Sequence, residues 1–244
     1  MPPLRKQIRK GCDMTVTVFH GSPKKGNTHH ATSIFMDELS KCGDISFTEF
    51  FLPEALPAFC TGCTLCHAGL ASKCPNAQYV TPILDALLKA DVLIFATPHY
   101  GACSMSAPMK TLLDHLDFMV LHVSPHAEMF SKKAIVITTG AGSAAAAKPI
   151  VKLLKRWGVN RVNSLCIRLF SDKWGNMPKR KQMKHENTLR KAARRLYKAR
   201  KRHPYLSVIA YYHMSKFVLK KYVGEGNYPY EVWKERGYFK KRPF

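Results

Sequence analysis

Four cysteines lie close together in the first third of the chain: Cys60, Cys63, Cys66 and Cys74. The first three are separated by two residues each, so one turning loop can place three thiolates around a compact iron–sulfur cube, which the fourth closes. Structural zinc sites more often join two well-separated pairs of cysteines. The spacing therefore favours a [4Fe–4S] cluster over zinc, with unligated or disulfide-forming thiols as a further alternative.

A glycine-rich stretch at residues 20–28 follows a β-branched run and precedes an amphipathic segment. Unpaired amides at a helix N-terminus attract anions, so a strand, a small-residue loop and a helix start together form a phosphate site. The motifs GxGxxG and GxxxxGK[ST] are both missing from this loop, so neither the usual dinucleotide fingerprint nor a nucleoside-triphosphate loop is indicated. The stretch predicts a phosphate site, with an ordinary strand–helix turn as the alternative. Its polar and charged side chains are Ser22, Lys24, Lys25, Asn27 and Thr28.

The elements that must position these residues alternate between strand and helix. Short apolar or β-branched runs predict five strands, at residues 15–19, 45–52, 91–96, 134–138 and 162–170. Helical spacing of apolar residues separates them, at residues 31–39, 80–88, 109–119 and 144–157. This alternation predicts an α/β fold with a doubly wound, five-stranded parallel sheet.

Three loops that leave strand ends are rich in Gly, Ser, Thr and Pro: residues 20–28, 97–104 and 139–143. In a doubly wound sheet, ligands lie beyond the carboxyl ends of the strands. We therefore expect the three loops to meet at one crevice.

The positive charge of the chain is concentrated at its C-terminal end. The net charge is +23, and residues 173–244, with 21 Lys and Arg against 4 Asp and Glu, carry +17 of it. We therefore divide the chain into an N-terminal extension (1–13), a ligand-binding domain (14–172) and a basic helical extension (173–244).

The basic extension admits several interpretations. Residues 178–203 could be a nucleic-acid patch, a docking surface for an acidic protein such as ferredoxin, or a solvated helix that packs on the domain or on a second subunit. The last interpretation is favoured, and nucleic acid is disfavoured because aromatic residues are scarce there. Residues 206–223 are more apolar, which predicts either a subunit interface in a homodimer or larger homo-oligomer or, less favoured, contact with a membrane surface.

The chain shows neither of the common membrane or export signals. Its apolar runs all fall short of the roughly 18 residues of a membrane span. The basic N-terminus has no apolar signal region, so we expect a cytoplasmic location. Eight cysteines in such a chain favour metal or redox chemistry over structural disulfides.

Together, the motifs at residues 21–28, 60–74, 91–101 and 107–114 resemble, in order, the flavodoxin-like NADPH-dependent FMN reductases. Within that family they are similar to the iron–sulfur flavoproteins of anaerobes. The resemblance covers residues 14–170 and departs from the usual pattern at three positions. Lys24 and His115 stand where the family usually has Arg, and His99 stands where it has Val.

The resemblance implies FMN, NAD(P)H as co-substrate and a [4Fe–4S] cluster on the four cysteines. The implied phosphate ligands are Ser22, Lys24, Asn27 and Thr28. The residues implied to line the isoalloxazine are Pro98, His99, Tyr100, Gly101 and Ser104. Those implied at its far side are Thr139, Gly140 and Gly142. No catalytic acid or base is nominated, because hydride and single electrons pass through the flavin ring itself.

The sequence therefore predicts an FMN-dependent oxidoreductase that passes electrons between NAD(P)H or ferredoxin, an iron–sulfur cluster, FMN and an acceptor. The main alternative is a non-enzymatic electron-transfer or redox-sensing flavoprotein that serves a ferredoxin-type partner. A weaker alternative is a nucleic-acid-binding protein that reuses the fold.

Overall fold

The computed structural model describes residues 14–101, 104–199 and 203–244. The proposed N-terminal extension at residues 1–13, which includes Cys12, lies outside the described residues, and so does Cys103 of the predicted loop 97–104. None of the helices in the described ranges is long and apolar enough to cross a membrane.

One sheet forms the centre of the molecule. Its strands are β1 (Met14–His20), β2 (Ile45–Phe51), β3 (Val92–Tyr100), β4 (Ser104–Met105), β5 (Lys133–Thr139) and β6 (Arg161–Ile167). Five of them run parallel in the order β2-β1-β3-β5-β6, and the order reverses between β1 and β3. This is the flavodoxin-like arrangement, so the predicted doubly wound parallel sheet of five strands is confirmed.

The strand that crosses the centre of the sheet is longer than the sequence predicts. We expect a loop over residues 97–104, whereas β3 continues to Tyr100 and β4 folds back against it. His99 pairs with Met105, and Tyr100 pairs with Ser104. The loop composition hid this two-residue antiparallel strand because Pro98 and Gly101 are usual loop residues.

Helices cover both faces of the sheet. They are α1 (Asn27–Ser40), α2 (Ala77–Lys89), α3 (Ala107–His115), α4 (Ser143–Arg156), α5 (Lys179–Lys198), α6 (Leu206–Val218) and α7 (Tyr228–Glu235). Helices α2, α3 and α4 pack on one face, where Phe95 and Trp157 are fully buried. Helices α1 and α5 pack on the other, around Phe35, Ile94 and Leu189. Because both faces are covered, β3 reads as a continuous apolar run.

The basic extension folds back onto the rest of the chain. The thin apolar stripe of α5, Leu189, Ala193 and Leu196, is buried in the same cluster as α1. Helices α6 and α7 form a third cluster in which Trp233 is fully buried and donates to the carbonyl of Leu121 at 2.7 Å. The burial of Leu189, Ala193 and Leu196 agrees with the favoured interpretation of α5 as a helix with one packed and one solvated face.

A half-buried histidine beside this third cluster is expected to make stability depend on pH. Burial, together with nearby Arg236, lowers the pKa of His126 from 6.5 to about 4. Its Nε2 is buried and has no hydrogen-bond partner among the described residues. The unfolded chain therefore binds a proton more readily than the native chain, so stability is lost as the pH falls from 6.5 toward 4.

We expect this loss to reach about 3 kcal/mol relative to a His126→Gln variant, which cannot titrate. Urea unfolding of both proteins at several pH values between 4 and 7 measures it. Parallel stability curves for the two proteins would contradict the assignment. The comparison is valid if the free energy of unfolding falls with urea concentration at the same slope in both proteins.

Candidate functional site

Four segments at the carboxyl end of the sheet, those after β1, β5 and β6 and the end of β3, line an open cavity of about 240 Å³. Nine of the twelve residues assigned from the sequence to ligand binding line it: Ser22, Lys24, Asn27, Thr28, Pro98, His99, Tyr100, Thr139 and Gly140. The residues from the loops after β1, β3 and β5 thus meet at one crevice, at the point where the strand order reverses.

The start of α1 is arranged as an anion site. Gly26 occupies the N-cap position, and no side chain caps the helix there. The first backbone N–H groups of α1 are therefore available to a ligand at the positive end of the helix dipole. Ser22 folds the preceding turn, because its hydroxyl donates to the carbonyl of Lys24 at 3.1 Å and accepts from the Lys24 amide at 3.3 Å. The side chain of Lys24 is exposed at the cavity.

Two buried hydroxyls join the first and third of these loops. Thr28 Oγ1 and Thr139 Oγ1 are 2.6 Å apart, and both side chains are almost fully buried. The Ser106 hydroxyl donates to the carbonyl of Gly21, and a Cβ at Gly21 would lie 2.8 Å from that hydroxyl. The loop backbone is therefore held closely against β5 and the start of α3.

The side chain of Asn27, which lines the cavity, also binds the backbone after β6. Its side-chain nitrogen donates to the carbonyls of Ser171 and Asp172, at 3.2 and 3.1 Å. The side chain thus ties the start of α1 to the segment that follows β6. A phosphate contact from this residue would come from its backbone amide, which belongs to the first turn of the helix.

The imidazole of His99 packs on the loop after β5. A Cβ at Gly142 would lie 2.2 Å from His99 Nε2, and one at Gly140 would lie 3.1 Å from His99 Cβ. Gly140 also has φ +119°, a conformation that favours glycine. A side chain at either glycine would therefore crowd His99, so both glycines make room for the His99 side chain against this backbone.

Three residues of the predicted set do not line the cavity. Gly142 lies against the ring of His99. Ser104 belongs to β4, where it pairs with Tyr100. Gly101, with φ +57°, follows the end of β3.

Three lining residues were not in the predicted set: Gly26, which lies within the predicted phosphate loop, and Leu169 and Ser171, which the sequence analysis missed altogether. Leu169 and Ser171 follow β6 in a segment without a glycine motif. The only sequence feature that could have predicted their role is the position of this segment directly after a strand.

A polar cluster lies beside the phosphate loop, at the end of β1. His20 is buried, its Nε2 lies 2.8 Å from Glu49 Oε2, and its ring stacks on Phe51 at 4.4 Å. The hydrogen bond with His20 lowers the pKa of the Glu49 carboxyl. Burial and the neighbouring His20 lower the pKa of His29. Lys25 lies over Phe51, with its Nζ 5.5 Å from the ring centroid, so it is directed away from the cavity.

The four clustered cysteines line a separate, small cavity of about 40 Å³. Their loop contains three residues with left-handed backbone: Gly62 (φ 67°), Thr64 (φ 57°) and Gly69 (φ 81°). Such a conformation is uncommon for Thr and is characteristic of functional loops. The remaining described cysteines, Cys42 and Cys166, do not contribute to this cavity.

The thiols of this cavity affect one another. Burial raises the pKa of Cys66, and the nearby Cys60 and Cys63 raise it further. In the described ranges no group of three or more His, Cys, Asp or Glu side chains is arranged to hold a metal ion. In a [4Fe–4S] cube each thiolate binds a different iron atom, so its cysteines stand further apart than the ligands of one ion.

His115, which replaces the usual Arg of the resembled family, belongs to the wall of the cysteine cavity. Its ring is buried, and its Nε2 lies 3.0 Å from the carbonyl oxygen of Ala58. The residue therefore fixes the chain just before Cys60.

Solved structures with the same architecture share little sequence with this chain. An FMN-dependent NADH-azoreductase from Bacillus anthracis str. Ames Ancestor superposes with TM-score 0.58 at 10% identity, covering 75% of this chain and 99% of its own. An NAD(P)H:quinone oxidoreductase from Methanothermobacter marburgensis gives 0.58 at 15%, covering 78% and 99%. An NADH:FMN oxidoreductase in its apo form gives 0.52 at 21%, covering 78% and 95%. No curated protein is significantly similar in sequence.

The fold, together with the family match, defines a flavin-dependent oxidoreductase of the flavodoxin-like class. Residues 14–165 match the model of the NADPH-dependent FMN reductase family, which is more than half of the chain. The chain belongs to that family, and it is an FMN-dependent enzyme that uses NAD(P)H.

Proposed function

We propose that this reductase is an iron–sulfur flavoprotein, in which FMN binds in the 240 Å³ cavity and a [4Fe–4S] cluster binds in the cysteine cavity. The observation that carries the proposal is that the four cysteines line one small cavity. When bound, FMN exchanges hydride with NAD(P)H and passes electrons on, and the cluster carries single electrons.

The residues of the larger cavity fit FMN. The uncapped start of α1, with Ser22, Lys24 and Thr28, would hold the phosphate. Lys24 supplies a point charge where the resembled family has the bidentate fork of Arg. The backbone-rich segments 98–101 and 139–140 would form the flat walls that an isoalloxazine ring requires.

The residues of the smaller cavity fit a cluster. The donor set is four thiols, which is the usual ligand set of a [4Fe–4S] cluster. Burial, with a further effect of Cys60 and Cys63, raises the pKa of Cys66, and bound iron would favour the thiolate form that burial disfavours. Unfilled thiols and zinc are the alternatives.

The basic surface of the chain admits a second electron donor besides NAD(P)H. Either NAD(P)H alone or an acidic electron carrier such as ferredoxin could reduce the protein, and a homodimer or larger homo-oligomer is expected. Membership of the NADPH-dependent FMN reductase family argues against the non-enzymatic alternative, an electron-transfer or redox-sensing flavoprotein that ferredoxin would reduce but that would not turn over NAD(P)H with an added quinone. Steady-state NAD(P)H oxidation with and without a quinone distinguishes the two.

Anaerobic purification tests the cofactor content. We expect an absorption spectrum with flavin bands and a broad iron–sulfur shoulder, and about four iron and four sulfide per chain with one FMN. Flavin without iron or sulfide would show that the protein is an FMN reductase without a cluster. Zinc in place of iron would show that the cysteines form a structural site.

A further inference from the structure

The helical segment 206–223 has two different apolar faces. One face packs into the C-terminal cluster through Val208, Tyr212 and Leu219, which are at most 2% exposed. The other is directed into solvent although its side chains are large and apolar: Leu206 is 83% exposed, Met214 52%, Phe217 56% and Tyr222 68%. Because packing of the buried face already anchors the helix, the second face is free to contact something else.

A π-helical turn joins the last of these side chains to the others. Residues Leu219–Val223 form a π-helix directly after α6. In a continuous α-helix Phe217 and Tyr222, five residues apart, would point about 140° away from each other. Here their ring centroids are 6.1 Å apart in an edge-to-face contact. The turn thus places Tyr222 beside Phe217, and the exposed apolar side chains form a stripe along the segment.

Cations border this stripe, and acidic residues are missing from the surrounding sequence. Lys221 Nζ lies 5.4 Å from the ring centroids of both Phe217 and Tyr222. Lys220 is exposed beside it. Between Glu186 and Glu225 the sequence contains no Asp or Glu. The stripe therefore combines exposed apolar side chains with neighbouring lysines.

We propose that this apolar–cationic stripe, Leu206, Met214, Phe217, Tyr222 and Lys221, binds the surface of an anionic lipid bilayer. A helix that lies in the membrane interface inserts one apolar face while its lysines contact the headgroups. Lys221 already stands against the two rings, so its alkyl stem can follow them inward while the ammonium stays at headgroup level. Aromatic rings favour this depth of the bilayer.

Other occupants fit these features less well. A second copy docked about a two-fold axis would place each cationic stripe against its own equivalent, and like charges would face each other. An acidic protein would complement the lysines but would set carboxylates against the exposed apolar chains. A bilayer has anionic headgroups at its surface and apolar acyl chains below them. The headgroups would contact the lysines, and the acyl chains would contact the exposed apolar side chains.

Flotation with lipid vesicles tests the proposal on the full-length holoprotein. We expect binding to vesicles of phosphatidylcholine and phosphatidylglycerol at a ratio of about three to one, and weak binding to phosphatidylcholine alone. The Phe217→Ser/Tyr222→Ser variant keeps every charge, so it separates insertion from adsorption by charge. We expect it to lower the partition coefficient about tenfold or more, with NAD(P)H oxidation unchanged.

Met183→Ser is the matched control, because Met183 is also a large exposed side chain, 63% exposed, but lies on α5. It should bind vesicles like the parent protein. Equal binding by the parent and the double variant would overturn the proposal, as would equal binding to neutral and anionic vesicles. A dimer in solution that the double variant dissociates would assign the stripe to a second copy instead.

Discussion

We expect the Cys74→Ala variant to keep its FMN and to lose most of its iron and acid-labile sulfide. Cys74 closes the cavity from the far end of the loop, so its removal leaves one corner of a four-thiolate cluster without a ligand. The flavin site is built from different loops and does not use this residue. Iron, sulfide and flavin analysis of anaerobically purified protein measures both effects.

Cys42→Ala and Cys166→Ala are the matched controls for this experiment. Cys42 lies after α1, where its thiol donates to the carbonyl of Glu38, and Cys166 is exposed on β6. Neither lines the cysteine cavity, so both variants should retain full iron. Equal iron in Cys74→Ala and the controls would rule out the four-cysteine assignment. Loss of flavin together with iron in Cys74→Ala would instead indicate general unfolding.

The second large effect is expected at the phosphate loop. Lys24→Met should weaken FMN binding by about tenfold to a hundredfold, since a hydrogen bond to a charged group contributes about 1.5–3 kcal/mol. Riboflavin has no phosphate, so its affinity should stay the same. Quenching of flavin fluorescence on titration into apoprotein measures both dissociation constants.

Lys25→Met provides the control for Lys24→Met. The two lysines are adjacent, but Lys25 lies over the ring of Phe51 and does not line the cavity. Its loss should change FMN affinity by less than about threefold, because long-range attraction is largely screened by salt. If Lys25→Met weakens FMN more than Lys24→Met does, the phosphate lies on the other side of the loop. If both flavins weaken equally in Lys24→Met, the lysine holds the loop and not the phosphate.

Local chemistry in the sequence was sufficient to predict the sheet and the meeting of its loops at one cavity. The continuous apolar runs of β3 and β5 and the alternation with amphipathic helices predict a covered parallel sheet, because each pattern reports the burial of its own element. Strands that run parallel must end at the same edge, so the convergence of three small-residue loops could also be predicted. The family resemblance then supplied the ligand.

Only the tertiary structure decided which side chains meet across elements. Leu169 and Ser171 enter the flavin cavity because β6 ends beside β5, and Asn27 turns toward Ser171 for the same reason. The apolar segment 206–223 is divided into a buried and an exposed face by the surfaces on which α6 packs and by a π-turn. Such partners are far apart in the chain. Their contacts depend on packing that no local pattern of residues encodes.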